Sequence, residues 1–137
     1  DREWAVRGAD IVSTATFATE PIMKGEWLAP GSHLDLIGGF RPDMREADDF
    51  AFVDARIFVD TDEALRKSGD LLEPIAHGIL SAKAIAGDLQ DLCMRAVPGR
   101  GSVSERTVFK SVGTALADLA AAIQVYDYWL AQEVQRD

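Results

Sequence analysis

Three apolar runs in this sequence end in small or hydroxyl-bearing residues, the types that line many ligand sites. The endings are Thr14-Ala15-Thr16, Gly38-Gly39 and Ser111-Val112-Gly113. Glycine lets a flat ligand approach the backbone closely, and a hydroxyl can bond to ribose or phosphate oxygens. Together these residues indicate a nucleotide site, although each ending alone is also typical of an ordinary turn.

The segments that precede these endings have the composition of buried β-strands. They are short and apolar with many β-branched residues, and a fourth segment shares the pattern, so that strands are predicted over 9–16, 32–39, 56–60 and 106–112. Helices are predicted over 46–55, 84–95 and 114–135, with residues 70–83 irregular. A further helix is predicted to open at a capping box of Asp60 and Glu63 and to stop at Gly69.

Strands that alternate with helices predict an α/β fold with a parallel sheet. In such sheets the carboxyl ends of the strands meet at one edge, and ligands bind beyond that edge. We therefore expect the three endings to lie side by side. The sequence has no Gly-x-Gly-x-x-Gly motif, since the nearest match, 99–104, has Ser104 in the third glycine position. The phosphate-binding half of a dinucleotide fold is therefore absent from the chain.

The overall composition excludes several classes of partner. The 137 residues carry a net charge of −9 and no basic stripe, which argues against nucleic acid. No apolar run reaches the roughly 18 residues of a membrane span, and the first residues do not resemble a signal peptide. A single cysteine fits a reducing cytoplasm. Because the sequence does not begin with Met, we expect a processed or partial product.

Several reactive side chains are expected to be structural. His33 and His77 have no ligand-type neighbour at useful spacing, so no metal site is predicted. Cys93 is expected to be a buried, inert thiol. Lys110 could meet a phosphate or the substrate carboxylate, but an exposed lysine at a strand end is the expectation. Arg41 could orient a substrate carboxylate or a cofactor amide, or it could belong to a solvated cluster that fixes the turn.

Five segments, in their order along the chain, resemble the ornithine cyclodeaminase/mu-crystallin family. They read ADIVSTAT, EPIMKGEWLAPGSHLDLIGGFRPDMREADD, ARIFVDT, SGDLL and TVFKSVGTALADLAAA. The segments are similar to the bacterial Δ1-pyrroline-2-carboxylate reductase branch, but they represent only the carboxyl-terminal half of a family member. The resemblance implies that residues 1–112 form the second part of an NAD(P)-binding Rossmann-like domain. Residues 113–137 would then form a helix that returns to the substrate and dimerisation domain.

The resemblance also implies individual roles. Six residues would contact the dinucleotide, either NAD or NADP: Thr14, Thr16, Ile37, Gly38, Gly39 and Ser111. Val112 would face the substrate, a small imine or amino acid, and Arg41 is the candidate from the charged turn for binding it. Phe40 stands where cyclodeaminases carry an Asp, and a phenyl ring cannot exchange a proton, so imine reduction is expected rather than ornithine cyclodeamination. The family's substrate-binding Arg and Lys belong to the half that this chain lacks.

Three functions remain open at this point. The chain could be half of an NAD(P)-dependent imine reductase, part of a mu-crystallin-like protein that binds NADPH and a small ligand, or a truncated product without activity. The final helix is apolar on two sides, which predicts a second subunit of a homodimer or the missing amino-terminal half as its partner.

Overall fold

The computed structural model describes residues 1–134 and contains a five-stranded, fully parallel sheet. The strand order is β1-β2-β5-β3-β4, and the bounds are β1 (Ile11–Thr14), β2 (His33–Leu36), β3 (Ala55–Val59), β4 (Ile85–Asp88) and β5 (Arg106–Lys110). All four predicted strands are present. The prediction of an α/β fold with a parallel sheet is confirmed.

Five α-helices and three short 3-10 turns accompany the strands within residues 1–134. The helices are α1 (Arg2–Val6), α2 (Ala64–Lys67), α3 (Gly69–Ala76), α4 (Leu89–Cys93) and α5 (Ala115–Val134). The turns cover Gly25–Trp27, Asp49–Ala51 and Ala82–Ala84. The predicted helix over 114–135 matches α5 as far as the structure describes it, because residue 135 lies outside the described range.

The hydrophobic core lies against one face of the sheet. Alternate residues of the strands point into it, among them Leu34, Leu36, Ile57, Val59 and Val108, each 1% exposed or less. This alternation follows from the two-residue period of a strand. On the opposite face the side chains near β1 are open to solvent, and Ile11 is 70% exposed.

The helix predicted over 46–55 is wrong. Only the 3-10 turn at Asp49–Ala51 forms there, because long-range partners occupy the backbone groups of this segment. The amides of Glu46 and Ala47 donate to the side chain of Asp70, while the carbonyl of Glu46 accepts from the amides of Ile22 and Met23. These groups are therefore not free to form helical hydrogen bonds.

Three further predictions are corrected between residues 60 and 95. Asp60 and Glu63 do not form a capping box, since Glu63 caps α2 without a side-chain hydrogen bond. The segment predicted to be irregular contains α3, which begins at Gly69, the residue expected to stop the preceding helix. The predicted helix over 84–95 is divided between β4 and α4, which joins the strand through a capping box of Asp88 and Asp91.

The long helix α5 extends from the sheet with most of its surface uncovered. The apolar side chains exposed along it are Leu116, Leu119, Ile123, Val125, Tyr126, Tyr128, Trp129 and Leu130. None of the helices in residues 1–134 is both long and apolar enough to cross a membrane. Cys93, at the end of α4, is exposed, so the prediction of a buried thiol is wrong.

Candidate functional site

The register of the sheet places four strand ends at the same level. Thr14 pairs with Leu36, Leu36 with Lys110, and Lys110 with Val59. Because the strands are parallel, the loops after these residues leave the sheet at one edge. This carboxyl edge brings together the three endings that the sequence singles out.

A single buried carboxylate, that of Glu46, joins the ends of β1 and β2. Its Oε1 accepts from the amide of Thr16 at 2.6 Å and from the hydroxyl of Thr16 at 2.8 Å. Its Oε2 accepts from the Thr14 hydroxyl at 2.9 Å and from the Gly38 amide at 2.7 Å. Glu46 is 0% exposed, and four donors from two loops converge on it. We call this arrangement the Glu46 clasp.

A buried ion pair lies beside the Glu46 clasp. The Nζ of Lys110 is 3.1 Å from Oδ2 of Asp70, and both side chains are 0% exposed. The other oxygen of Asp70 accepts from the amides of Glu46 and Ala47, so the first turn of α3 is tied to the loop after β2. Lys110 lies on the core face because it alternates with Phe109, and the expectation of an exposed lysine is wrong.

The space beside the two glycines is filled by the chain itself. A Cβ added to Gly38 would overlap the backbone of Thr16 and the carboxylate of Glu46, and one added to Gly39 would overlap the carboxylate of Asp70. Both positions require glycine for this close approach. The prediction that Gly38-Gly39 clears space for a flat ligand is therefore wrong for the space that side chains at these positions would fill, because Thr16, Glu46 and Asp70 occupy it. A ligand contact through their backbone stays a prediction.

A second carboxylate, that of Asp60 at the end of β3, holds the turn after β5. Its Oδ2 accepts from the Ser111 hydroxyl at 2.9 Å and from the amides of Val112 and Gly113 at 2.9 Å and 2.7 Å. This turn leads directly into α5. We call the arrangement the Asp60 clasp.

The charged turn after Gly39 contains both exposed and buried side chains. Arg41 and Asp43 form an exposed pair, and the hydrogen bond between them raises the pKa of the guanidinium and lowers that of the carboxyl. Arg45 is instead buried against Asp49 and Glu73. Burial by itself would lower the pKa of Arg45, but its hydrogen bonds to these carboxylates raise it. Only Arg41 of the two arginines can reach a ligand without breaking buried contacts.

Exposed apolar groups border the edge. Phe17 follows Thr16, Phe40 follows Gly39, and their rings meet edge to face with centroids 6.2 Å apart. Phe17 is 82% exposed, and Phe40 and Ile37 are each 40% exposed. Val112, on the other side of the edge, is half-buried against the core. The edge thus offers an apolar surface beside its hydroxyls.

The hydrogen bonds of the edge restrict how its hydroxyls can meet a ligand. A hydroxyl has one proton, and those of Thr14, Thr16 and Ser111 are each donated to a carboxylate, that of buried Glu46 or of half-buried Asp60. Towards a ligand these oxygens can only accept. They therefore suit groups that donate, such as ribose hydroxyls or a carboxamide NH₂, and do not suit phosphate oxygens.

The remaining reactive residues lie apart from the carboxyl edge. His33 Nδ1 is 2.8 Å from the Thr107 hydroxyl on the second face of the sheet. Burial lowers its pKa below the ordinary value of 6.5; Asp35 opposes this shift and Arg100 adds to it. Among residues 1–134 no group of three His, Cys, Asp or Glu side chains is arranged to hold a metal ion.

A groove of about 320 Å³ lies along β1, the outermost strand on one side of the sheet. Its floor is mostly apolar and is formed by α1, β1 and the loop before the first 3-10 turn, including Val6, Val12, Thr14 and Ile22. The groove includes Thr14 and Thr16, so it runs along β1 as far as the carboxyl edge that forms the candidate site.

Sequence reasoning missed the roles of the four charged residues that organise this site: Glu46, Asp60, Asp70 and Lys110. Glu46 falls in a predicted helix and Asp60 in a predicted helix cap, so the sequence assigns each carboxylate a role within its own segment. A usable signal for Lys110 is its two-residue spacing from Val108, which puts both on the same face of β5, because a lysine on the buried face of a strand needs an acidic partner.

Comparison with known proteins agrees with the architecture. The model of the ornithine cyclodeaminase/mu-crystallin family matches residues 1–133. Δ1-Pyrroline-2-carboxylate reductase of Paracoccus denitrificans is 49% identical over 119 residues, which cover 86% of this chain and 38% of that protein. Ketimine reductase mu-crystallin of Mus musculus is 45% identical over 126 residues, which cover 91% of this chain and 37% of that protein.

A solved structure extends the comparison to the fold. Δ1-Pyrroline-2-carboxylate reductase of Thermococcus litoralis, in complex with NADH and L-proline, gives a TM-score of 0.88 at 32% identity. The match covers 96% of this chain and 41% of that one. The chain thus spans about two fifths of the length of the relatives it matches.

Proposed function

The chain belongs to the ornithine cyclodeaminase/mu-crystallin family, and from this premise we propose that it supplies the carboxyl-terminal half of an NAD(P)-dependent imine reductase. The proposed substrate is a cyclic imine such as Δ1-pyrroline-2-carboxylate, which would be reduced to L-proline. The observation that carries the proposal is the level carboxyl edge, where acceptor-only hydroxyls lie beside an apolar surface.

This edge suits the nicotinamide end of a dinucleotide. The carboxamide NH₂ and ribose hydroxyls can donate to Thr14, Thr16 and Ser111, while the backbone of Ile37, Gly38 and Gly39 would pass along the ring. Bound NAD(P)H would supply the hydride that reduces the imine carbon. The pyrophosphate needs a different partner, in keeping with the absence of a glycine-rich phosphate motif from the sequence. Both NAD and NADP remain compatible with these residues.

The substrate side of the edge favours reduction over proton chemistry. Phe40 offers an apolar surface and cannot take part in proton transfer, so cyclodeamination of ornithine is not proposed. Val112 would pack against the ring of the imine. Arg41 is exposed and would exchange its partner Asp43 for the substrate carboxylate.

The exposed helix α5 supports a partner for this chain. A row of uncovered leucine, isoleucine and aromatic side chains is unfavourable in water, so burial against more protein is expected. The proposed partners are the amino-terminal half of the same polypeptide and a second subunit of a homodimer. A cytoplasmic location is proposed because the one cysteine is free.

The reductase proposal is tested on the complete polypeptide that contains this chain. NADH or NADPH is mixed with Δ1-pyrroline-2-carboxylate, and loss of absorbance at the reduced nicotinamide band is followed with time. Oxidation of the cofactor with formation of proline supports the proposal. Saturable cofactor binding with no oxidation contradicts it.

A mu-crystallin-like binding protein is the second candidate, because the acceptor-only hydroxyls of the carboxyl edge suit cofactor binding whether or not turnover follows. It predicts tight NADPH binding with little turnover. The chain of 137 residues alone should show no saturable NADH binding in the micromolar range, because it supplies one side of the cleft. Micromolar binding by the chain alone, seen as a fluorescence titration, would contradict the need for a second half.

A further inference from the structure

Glu46 is buried in an unusual way for a charged residue. It is 0% exposed, yet no cationic side chain among the described residues bonds to it. Lys110 pairs with Asp70, and the neighbouring Arg45 turns to Asp49 and Glu73. Four hydrogen-bond donors alone solvate the carboxylate.

The charges of the carboxyl edge therefore do not cancel. Lys110 and Asp70 form a neutral pair, which leaves the charge of Glu46 uncompensated. The four groups that solvate Glu46 also belong to the ends of β1 and β2, the surface that would face the cofactor. The two hydroxyls among them donate inward, so their lone pairs and the carboxylate behind them give this surface a negative potential.

Resting on the proposed function, we infer that Glu46 is a positioning residue that also tunes the cofactor electrostatically. Through the Glu46 clasp it orders Thr14, Thr16 and Gly38, and its buried charge favours the cationic oxidised nicotinamide over the neutral reduced ring. Stabilising the oxidised form makes the bound reduced cofactor a stronger hydride donor. The clasp thus favours reduction of an imine over oxidation of the product amine.

The test uses the complete polypeptide and compares dissociation constants for NADH and NAD⁺ by calorimetric titration. The readout is the ratio Kd(NADH)/Kd(NAD⁺), since a loosened loop weakens both forms and leaves the ratio unchanged. In Glu46→Gln, which keeps size but removes charge, the ratio is expected to fall by about three- to tenfold, as for a unit charge across a partly hydrated edge. A tenfold fall corresponds to about 30 mV for a two-electron couple.

Asp35→Asn is the matched control. It also removes one carboxylate from β2, but this side chain is half-exposed on the second face, where it accepts from Ser13 at 3.0 Å. Solvent screens such a charge, so the ratio should change by less than about twofold. A change as large as that of Glu46→Gln would overturn the assignment to Glu46.

A second variant covers the case in which Glu46→Gln does not fold. The double substitution Thr14→Val with Thr16→Val keeps the carboxylate and removes two donors that offset its charge. Both forms should bind more weakly, while the ratio rises by up to about threefold. A constant or falling ratio would overturn the inference.

The outcomes also separate this inference from the proposed function. If Glu46→Gln weakens NADH and NAD⁺ by the same factor, the clasp is only structural, and the inference fails while the proposed function stands. If the unmodified complete polypeptide binds neither form, the proposed function fails and takes the inference with it.

Discussion

At the carboxyl edge of the sheet, charged side chains are buried, whereas along α5 apolar side chains are exposed. Glu46, Asp70 and Lys110 are each 0% exposed, while Leu116 is 76% exposed. Burying charge and exposing apolar side chains both raise the free energy of an isolated folded protein. Each buried charge has partners within the chain, whereas most of the apolar face of α5 is left uncovered by residues 1–134.

The difference indicates which part of the molecule is complete. The carboxyl edge is satisfied by hydrogen bonds between residues 8 to 53 positions apart in the chain, so it can form without cofactor or partner. The surface of α5 needs further protein. Substitutions at the edge should therefore act on folding, and substitutions on α5 should act on association.

The largest effect is expected at the buried ion pair. Lys110→Met would leave Asp70 buried without its cation, which typically costs about 3–5 kcal/mol. The loss is measured by urea denaturation followed by circular dichroism. Lys67→Met is the control, because the exposed pair of Lys67 with Glu63 should contribute less than about 1 kcal/mol. Equal losses for the two lysines would show that the edge is not held by buried charge.

A smaller loss is expected at Gly38. In Gly38→Ala the added methyl group would overlap Thr16 and Glu46, and such overpacking costs about 1–3 kcal/mol. Gly99→Ala is matched to it, since nothing lies within 4 Å of the added Cβ there. Unfolding of both variants is followed in urea. If Gly38→Ala is as stable as Gly99→Ala, the loops joined by the Glu46 clasp are more adaptable than the structure indicates.

The smallest effect on stability is expected on α5. Ile123→Gln removes an exposed apolar side chain and should change the free energy of unfolding by no more than about 0.5 kcal/mol. Self-association, measured by sedimentation velocity at several concentrations, should weaken. Gln124→Ala is the control on the same helix and should not weaken association. A loss above 1 kcal/mol for Ile123→Gln would place this residue in the core and remove the contrast with the edge.

The sequence predicted the parallel sheet and the position of its carboxyl edge because these depend on local patterns. Runs of β-branched residues gave the four strands, and regular spacing of apolar residues gave α5. The strand β4 was missed because Ile85-Ala86-Gly87-Asp88 has one β-branched residue and lies at the edge of the sheet.

The interior of the site could not be predicted in the same way. Glu46 meets Thr16, and Lys110 meets Asp70, across 30 and 40 residues of chain. Nothing in the residues around Glu46 distinguishes a buried acceptor of four hydrogen bonds from the start of a solvated helix. The contacts with Thr16, Glu46 and Asp70 explain why glycine is required at positions 38 and 39. From the local sequence alone, the two glycines indicate room for a ligand.

The Asp60 clasp has a mechanical consequence for the far end of the molecule. One carboxylate oxygen fixes the hydroxyl of Ser111 and the amides of Val112 and Gly113, so it sets the direction in which α5 leaves the sheet. A 20-residue helix is about 30 Å long, and a rotation of about 10° at its base moves its tip by about 5 Å. A small change in the backbone around Ser111 would thus move the far end of α5 by about the size of a side chain, and would shift it by that distance against any protein surface packed there.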